Sequence, residues 1–318
     1  MYRIGIDLGG TNIAAGIVDE KYNIIAKGSV PTKADRDAEL IIKDMGGLCN
    51  DLIKQAGISV DDIEYAGIAS PGTANRATGV VEYANNLPFY KFPIAEILKK
   101  YVGVKTVHIE NDANAAAKGE AIAGAAKGCN DAIMITLGTG LGGGIIIDKK
   151  VYSGFNFAGA ELGHMVIEYN GRQCTCGRKG CWEAYSSATG LINMTKDKLA
   201  ATKESETIMH KLVAENGGEV SGRTAFMAAR QNDKAGIEVI EEYIEYLVCG
   251  ISNIINIFQP EVLCIGGGVC NEGDYLIKPL IAKVDREQYS RDNENKTQIK
   301  VAALGNDAGI IGAAALGV

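Results

Sequence analysis

One internal repeat constrains this chain more than any other feature. Shifted by 129 residues, IGIDLGGTNIAAGIVD at 4–19 falls on IMITLGTGLGGGIIID at 133–148. The identities are Ile4/Ile133, Ile6/Ile135, Leu8/Leu137, Gly9/Gly138, Ile17/Ile146 and Asp19/Asp148. Each copy reads as a strand, a glycine turn and a second strand, because apolar residues flank a glycine cluster on both sides. A chain that opens two segments with the same hairpin is expected to hold two related α/β halves, each with a glycine tip turned toward a shared cleft. Its 318 residues also exceed what one hydrophobic core usually fills, so two domains are expected.

The hairpins sit in an ordinary globular composition. Hydrophobic residues make up 47% and charged residues 22%, which excludes a disordered chain or a rod. A net charge of -7 disfavours a duplex nucleic-acid partner, which would need a basic face, and favours a small molecule. The first residues, MYRIGIDLGG, enter a strand directly, and no apolar run reaches the roughly 18 residues of a membrane span. A cytoplasmic protein is expected.

The first copy continues as a β-meander over 2–8, 12–19 and 23–30, followed by a helix at 36–56, a strand at 64–69, a helix at 93–101, a strand at 105–109 and an alanine-rich helix at 113–126. Past residue 190 the pattern turns helical. Ile237, Ile240, Ile244, Leu247, Ile251, Ile254 and Phe258 recur at steps of three and four, the stripe of a long helix. It reads as a core helix on the second sheet, with a subunit interface as the alternative. A strand at 261–265, a helix at 275–289, a strand at 297–303 and a helix at 307–316 complete a mixed-sheet α/β chain.

Three glycine clusters stand at strand ends: Asp7-Leu8-Gly9-Gly10-Thr11-Asn12, Thr136-Leu137-Gly138-Thr139-Gly140 with Gly142 to Gly144, and Gly266-Gly267-Gly268. Backbone N–H groups in such turns can approach an anion with no Cβ in the way. One such hairpin is a weak signal; three suggest a phosphate-bearing ligand. The second turn lacks the lysine of a P-loop, and no helix crossover follows it, so neither that motif nor the dinucleotide fingerprint fits. Glu110-Asn111-Asp112-Ala113-Asn114 joins a strand to a helix. Asn111 or Asp112 reads there as a helix cap, or Asp112 as a carboxylate placed to accept a proton from a hydroxyl.

The most specific local pattern is His164, Cys174, Cys176 and Cys181, four residues of metal-ligating type within 18 positions. Eight cysteines in all permit disulfides, yet three crowded into eight residues point to a metal. The set suits a closed tetrahedral zinc site with no position left for water, hence structural. A chance cluster of thiols is the bland alternative. Glu161 and Glu183 flank the ligands and speak against a nucleic-acid knuckle.

These residues together resemble the ROK family of repressors and sugar kinases, most closely its bacterial glucokinases. The resemblance covers the whole chain through DLGGTN at 7–12, NNLP at 85–88, ENDANAAA at 110–117, TLGTGLGGG at 136–144 and, most specifically, AGAELGH at 158–164 with CTCGRKGCWEAYSS at 174–187. It implies an actin-like ATPase (ribonuclease H-like) duplicated α/β fold, with residues 1–117 plus 304–318 as the smaller domain and 118–303 as the larger, closing on ATP and a hexose. It further implies Asp112 as general base for the sugar's 6-hydroxyl, and Asn86, Asn111, Glu161, His164 and Glu183 as sugar-holding residues. Asp7 would lie near Mg²⁺. Gly9, Gly10, Thr11 and Asn12 would lie at the triphosphate with Thr136, Gly138, Thr139 and Gly140, and Gly267 and Gly268 beside the nucleoside. Relatives suggest a homodimer.

Glucose is the expected substrate. N-acetylmannosamine, N-acetylglucosamine, fructose and allose are the alternatives within the family. A sugar-responsive regulator and an actin-like ATPase without a small-molecule substrate are the alternatives of another class. Family repressors carry a DNA-reading segment ahead of the DLGGT strand, where this sequence has Met1 to Ile6, so the regulator is not expected.

Overall fold

The computed structural model describes residues 1–318. The opening meander is β1 (Tyr2–Leu8), β2 (Asn12–Val18) and β3 (Ile24–Pro31). After it come α1 (Ala38–Gln55), β4 (Ile63–Ser70), the short strands β5 (Thr73–Asn75), β6 (Val80–Tyr83) and β7 (Tyr90–Phe92), then α2 (Ile94–Val102), β8 (Val107–Asn111) and α3 (Asp112–Ala123). The second hairpin is β9 (Ala132–Leu137) and β10 (Leu141–Ile147), followed by β11 (Lys150–Val151). Four helices precede the long one: α4 (Glu183–Ser186), α5 (Ala188–Ala200), α6 (Met209–Glu215) and α7 (Thr224–Ala229). The chain ends with α8 (Lys234–Phe258), β12 (Val262–Gly266), α9 (Asp274–Glu287), β13 (Gln298–Val301) and α10 (Ala308–Ala314). No helix is long and apolar enough to cross a membrane.

The first sheet has the order β3-β2-β1-β4-β8 and the second β11-β10-β9-β12-β13. The two orders correspond strand for strand, so the repeat seen in the hairpins extends to the topology of both sheets. In the first, β1 runs antiparallel to β2 and parallel to β4, with Gly5 opposite Gly16 and Gly67. In the second, β12 runs parallel to β13. Compact packing divides the chain into one unit of residues 1–134, 143–160 and 302–318 and another of 135–142 and 161–301.

In the first unit, alternation along β1 sends Ile4, Ile6 and Leu8 into one core with Ile41, Ile42 and Met45 of α1 and Leu98 of α2. The opposite face of the sheet takes small residues. Ala69, Ala115 and Ala313 pack together there, and a Cβ on Gly67 would stand 1.8 Å from the Ala313 carbonyl oxygen. Glycine and alanine thus let α3 and α10 lie close against the strands that carry Asp7 and Asn111.

In the second unit α8 is the core helix. Ile240, Ile244, Leu247, Ile251 and Ile254 are buried, and the helix packs against α5, α7 and α9, so helices rather than the sheet are its main neighbours. Two features escape periodicity. The β5-β6-β7 sheet is built from strands of three or four residues, too short for an alternating pattern to register. The alanine-rich helix ends at Ala123, three residues before its expected end, and the Glu120 side chain accepts the Ala125 N–H at 2.7 Å just beyond it.

Candidate active site

In the first unit, Asp7 is the penultimate residue of β1, and the glycine turn follows Leu8. The Gly9 N–H donates to the Asn12 carbonyl at 2.9 Å and closes the turn. Thr32, fully buried, donates its hydroxyl to the Gly9 carbonyl at 2.7 Å and its N–H to the Thr11 carbonyl at 2.8 Å. These bonds leave the N–H groups of Gly10 and Thr11 uncommitted. Asn86, exposed on the turn after β6, has its Cβ 3.6 Å from where a Cβ on Gly10 would be, so the two residues are neighbours.

Two carboxylates share this region. Burial pushes the Asp7 carboxyl from 3.8 up to about 6, and the charge of Asp112 adds to it. Burial also raises Asp112, opposed by the backbone N–H groups of Ala113 and of Asp112 itself and by the Asn111 side chain. Gly309 of α10 lies against Asp7: a Cβ there would stand 2.5 Å from Asp7 Oδ2. Two buried like charges without a cation hold protons more tightly than isolated ones. This donor set fits Mg²⁺, a hard cation that takes oxygen ligands.

Asn111, not Asp112, is the helix cap. Its Oδ1 accepts the N–H groups of Ala113 and Asn114 at 3.0 and 3.2 Å, and its amide donates to the Gly72 carbonyl at 3.2 Å. Asp112 shares the Ala113 N–H with it, its Oδ1 accepting at 2.9 Å. Glu110, 2% exposed, braces the junction by accepting from the Asn111 N–H at 3.0 Å and the Asn114 amide at 3.2 Å, with Arg76 at 3.8 Å. Sequence reading gave Glu110 no role. Its signal was a charge ending an apolar strand, where burial demands partners.

In the second unit, the Gly138 N–H donates to the Gly140 carbonyl at 3.1 Å, the Ala188 N–H to the Gly138 carbonyl at 2.8 Å and the Thr189 hydroxyl to the Thr139 carbonyl at 2.7 Å. Thr136, the half-buried counterpart of Asp7, stands on β9. Gly267, at φ +92°, lies so close that a Cβ would be 2.4 Å from the Leu137 carbonyl oxygen. The second and third glycine clusters are therefore one surface, with Gly268 opening the turn that follows.

The metal cluster belongs to the same unit. The ligand atoms of His164, Cys174, Cys176 and Cys181 all lie within 4.8 Å of one another. Cys176 Sγ to Cys181 Sγ is 3.7 Å, and Cys174 Sγ to His164 Nδ1 is also 3.7 Å. A tetrahedron with zinc–sulfur bonds of about 2.3 Å has sulfurs about 3.8 Å apart, so the four residues fit zinc. Burial, reinforced by the neighbouring thiols, pushes Cys181 up to about 12, a buried thiol that a metal would deprotonate. With Nδ1 turned to the cluster, His164 keeps Nε2 for another partner. A single turn from Leu162 to His164 sets Glu161 beside that histidine in the chain, its carbonyl accepting the His164 N–H at 3.1 Å. Glu183 follows Trp182, which is buried and donates its indole N–H to the Tyr246 carbonyl at 2.8 Å.

The model of the ROK family matches residues 3–317. The chain belongs to the ROK family. Among its relatives, the glucokinases of Streptomyces coelicolor and Thermotoga maritima are each 36% identical to it, over 316 and 318 residues, and each alignment covers 98% of this chain and 96% of the relative. A crystal structure of a ROK family glucokinase from Streptomyces griseus, in complex with glucose and AMPPNP, superposes with a TM-score of 0.81 at 34% identity and covers 99% of both chains. The ROK fold, and this chain's, is the actin-like ATPase fold, whose duplication the two matching sheets display.

Proposed function

We propose that this ROK chain is an ATP-dependent hexose kinase that phosphorylates the 6-hydroxyl of glucose, giving glucose 6-phosphate and ADP. The observation that carries the reading is the buried carboxylate pair, Asp7 and Asp112, in the same unit as a glycine turn with uncommitted N–H groups. It supplies what phosphoryl transfer requires: a proton acceptor, a cation ligand and donors for phosphate.

Asp112 accepts the proton of the 6-hydroxyl as that oxygen bonds phosphorus. Burial makes it a stronger acceptor than an exposed aspartate. Asp7 would hold Mg²⁺, which would neutralise charge on the phosphates. Gly9, Gly10, Thr11 and Asn12, with Thr136, Gly138, Thr139 and Gly140, line the phosphates; Gly9 and Gly138 act by shaping their turns, since their own N–H groups are already donated. Gly267 and Gly268 adjoin the nucleoside. Glu161, His164 through Nε2, and Glu183 hold the hexose, with Asn86 and Asn111 assisting. His164, Cys174, Cys176 and Cys181 would hold zinc, which would fix the loop and leave no coordination position for chemistry. The protein acts in the cytoplasm as a homodimer.

A coupled ADP-release assay over glucose, N-acetylmannosamine, N-acetylglucosamine, fructose and allose tests this. Glucose should give the highest kcat/KM. A higher value for N-acetylmannosamine would reassign the sugar, and ADP release independent of any hexose would overturn the kinase reading.

A further inference from the structure

The Glu183 carboxylate is held from two sides. Its Oε2 accepts the Leu141 N–H at 2.8 Å, and its Oε1 accepts the Thr175 hydroxyl at 3.3 Å. Leu141 closes the second glycine turn. Thr175 lies between two of the cysteines of the metal cluster. A Cβ built on Gly140 would stand 2.5 Å from Oε2 and 3.4 Å from the carboxyl carbon of Glu183, and would touch no other residue. Gly140 is not among the glycines of positive φ, so its backbone suits any residue. Only the Glu183 carboxylate needs glycine there.

We infer that Gly140 and Thr175 are positioning residues for the hexose: a nucleotide-turn backbone and a metal-loop hydroxyl together aim the Glu183 carboxylate at the sugar. The inference rests on the hexose role proposed for Glu183. Two carboxylate oxygens offer about four acceptor sites; Leu141 takes one on Oε2 and Thr175 one on Oε1, and the Cys174 thiol, 3.8 Å from Oε1, gives up its proton when zinc binds, so each oxygen keeps a site for a sugar hydroxyl. Holding both oxygens before the sugar arrives removes the cost of ordering the side chain on binding. A methyl group on Gly140 meets only the far end of a flexible side chain, so the fold survives while the carboxylate swings away.

The test is calorimetric titration of zinc-loaded protein with glucose in the absence of nucleotide, together with steady-state kinetics. Gly140→Ala should raise both the glucose Kd and the glucose KM by about tenfold or more, with zinc content unchanged and a smaller change in the ATP KM. Thr175→Val should raise the glucose KM several-fold, and Thr175→Ser, which keeps the hydroxyl, should restore it. Thr175 is exposed, so this pair decides the matter even if Gly140→Ala fails to fold. A Gly140→Ala protein that binds glucose like the wild type and loses only ATP affinity overturns the inference, as does a Thr175→Val protein with an unchanged glucose KM. If the wild type itself binds no glucose, the role proposed for Glu183 falls and this inference with it. Normal wild-type binding with insensitive variants sinks this inference alone.

Discussion

The two glycine turns are built alike and serviced differently. In each, the first glycine donates its N–H within the turn, Gly9 to Asn12 and Gly138 to Gly140, and a threonine hydroxyl from elsewhere in the chain ties a turn carbonyl at 2.7 Å. Thr32 does this for the first turn and Thr189 for the second. The neighbouring charges then diverge. The first turn follows Asp7, whose carboxyl is raised by burial and by Asp112; the second follows Thr136, and its nearest carboxylate, Glu183, is satisfied by an N–H and a hydroxyl. Duplication supplied two hairpins of like build. On the proposed function, the residues around them make one a proton-accepting and cation-binding end and the other an end that leans on the His164–Cys181 loop.

The largest effect should come from breaking the first end. Asp112→Asn keeps the shape of the side chain and removes its basicity, so kcat should fall by about a hundredfold or more with the circular dichroism retained and the unfolding midpoint no lower than that of the wild type. Near-normal turnover would place the base elsewhere and leave the two turns functionally equivalent.

Next comes the second end. Cys176→Ala should abolish the one zinc per chain expected by native mass spectrometry and raise the glucose KM by about 10- to 100-fold, with nucleotide binding less affected. Zinc-free protein with wild-type glucose affinity would reduce the cluster to a local fold staple.

A pH experiment separates the two ends by stability. Between 3.8 and about 6 the folded state holds more proton at Asp7 than the unfolded chain, so ligand-free stability falls as pH rises through that window, by up to about 3 kcal/mol, and stays reduced above it. Asp7→Asn removes that term: the variant should match the wild type near pH 4 and exceed it in urea stability at pH 7, while needing more Mg²⁺ for turnover. Equal urea midpoints at pH 7 would refute the picture of a destabilised carboxylate pair.

The smallest effects probe what the turns share. Thr32→Val and Thr189→Val should each cost about 1 kcal/mol of stability and raise the ATP KM by similar factors. A change in ATP KM confined to one of them would show that the two hairpins do not contribute alike to the nucleotide.

Much of this was legible in the sequence because it is written in local spacing. Apolar runs on either side of a glycine cluster marked the strands of both hairpins, steps of three and four marked α8, and the ligand spacing from His164 to Cys181 marked a cluster whose atoms lie within 4.8 Å. The Asn111 cap stayed ambiguous, since Asn111 and Asp112 cap helices about equally well and only the backbone path shows which side chain turns back on the helix.

Sequence by itself therefore determined the duplicated α/β plan and the family, and singled out the candidate residues for metal, phosphate and proton transfer. Tertiary structure alone decided which of those residues meet. Thr32 reaches Gly9 across 23 residues, Glu183 reaches Leu141 across 42 and Thr189 reaches Thr139 across 50. No periodicity links positions so far apart. A hydrogen bond depends on a separation of about 3 Å and on direction, and packing of the sheets and helices sets both.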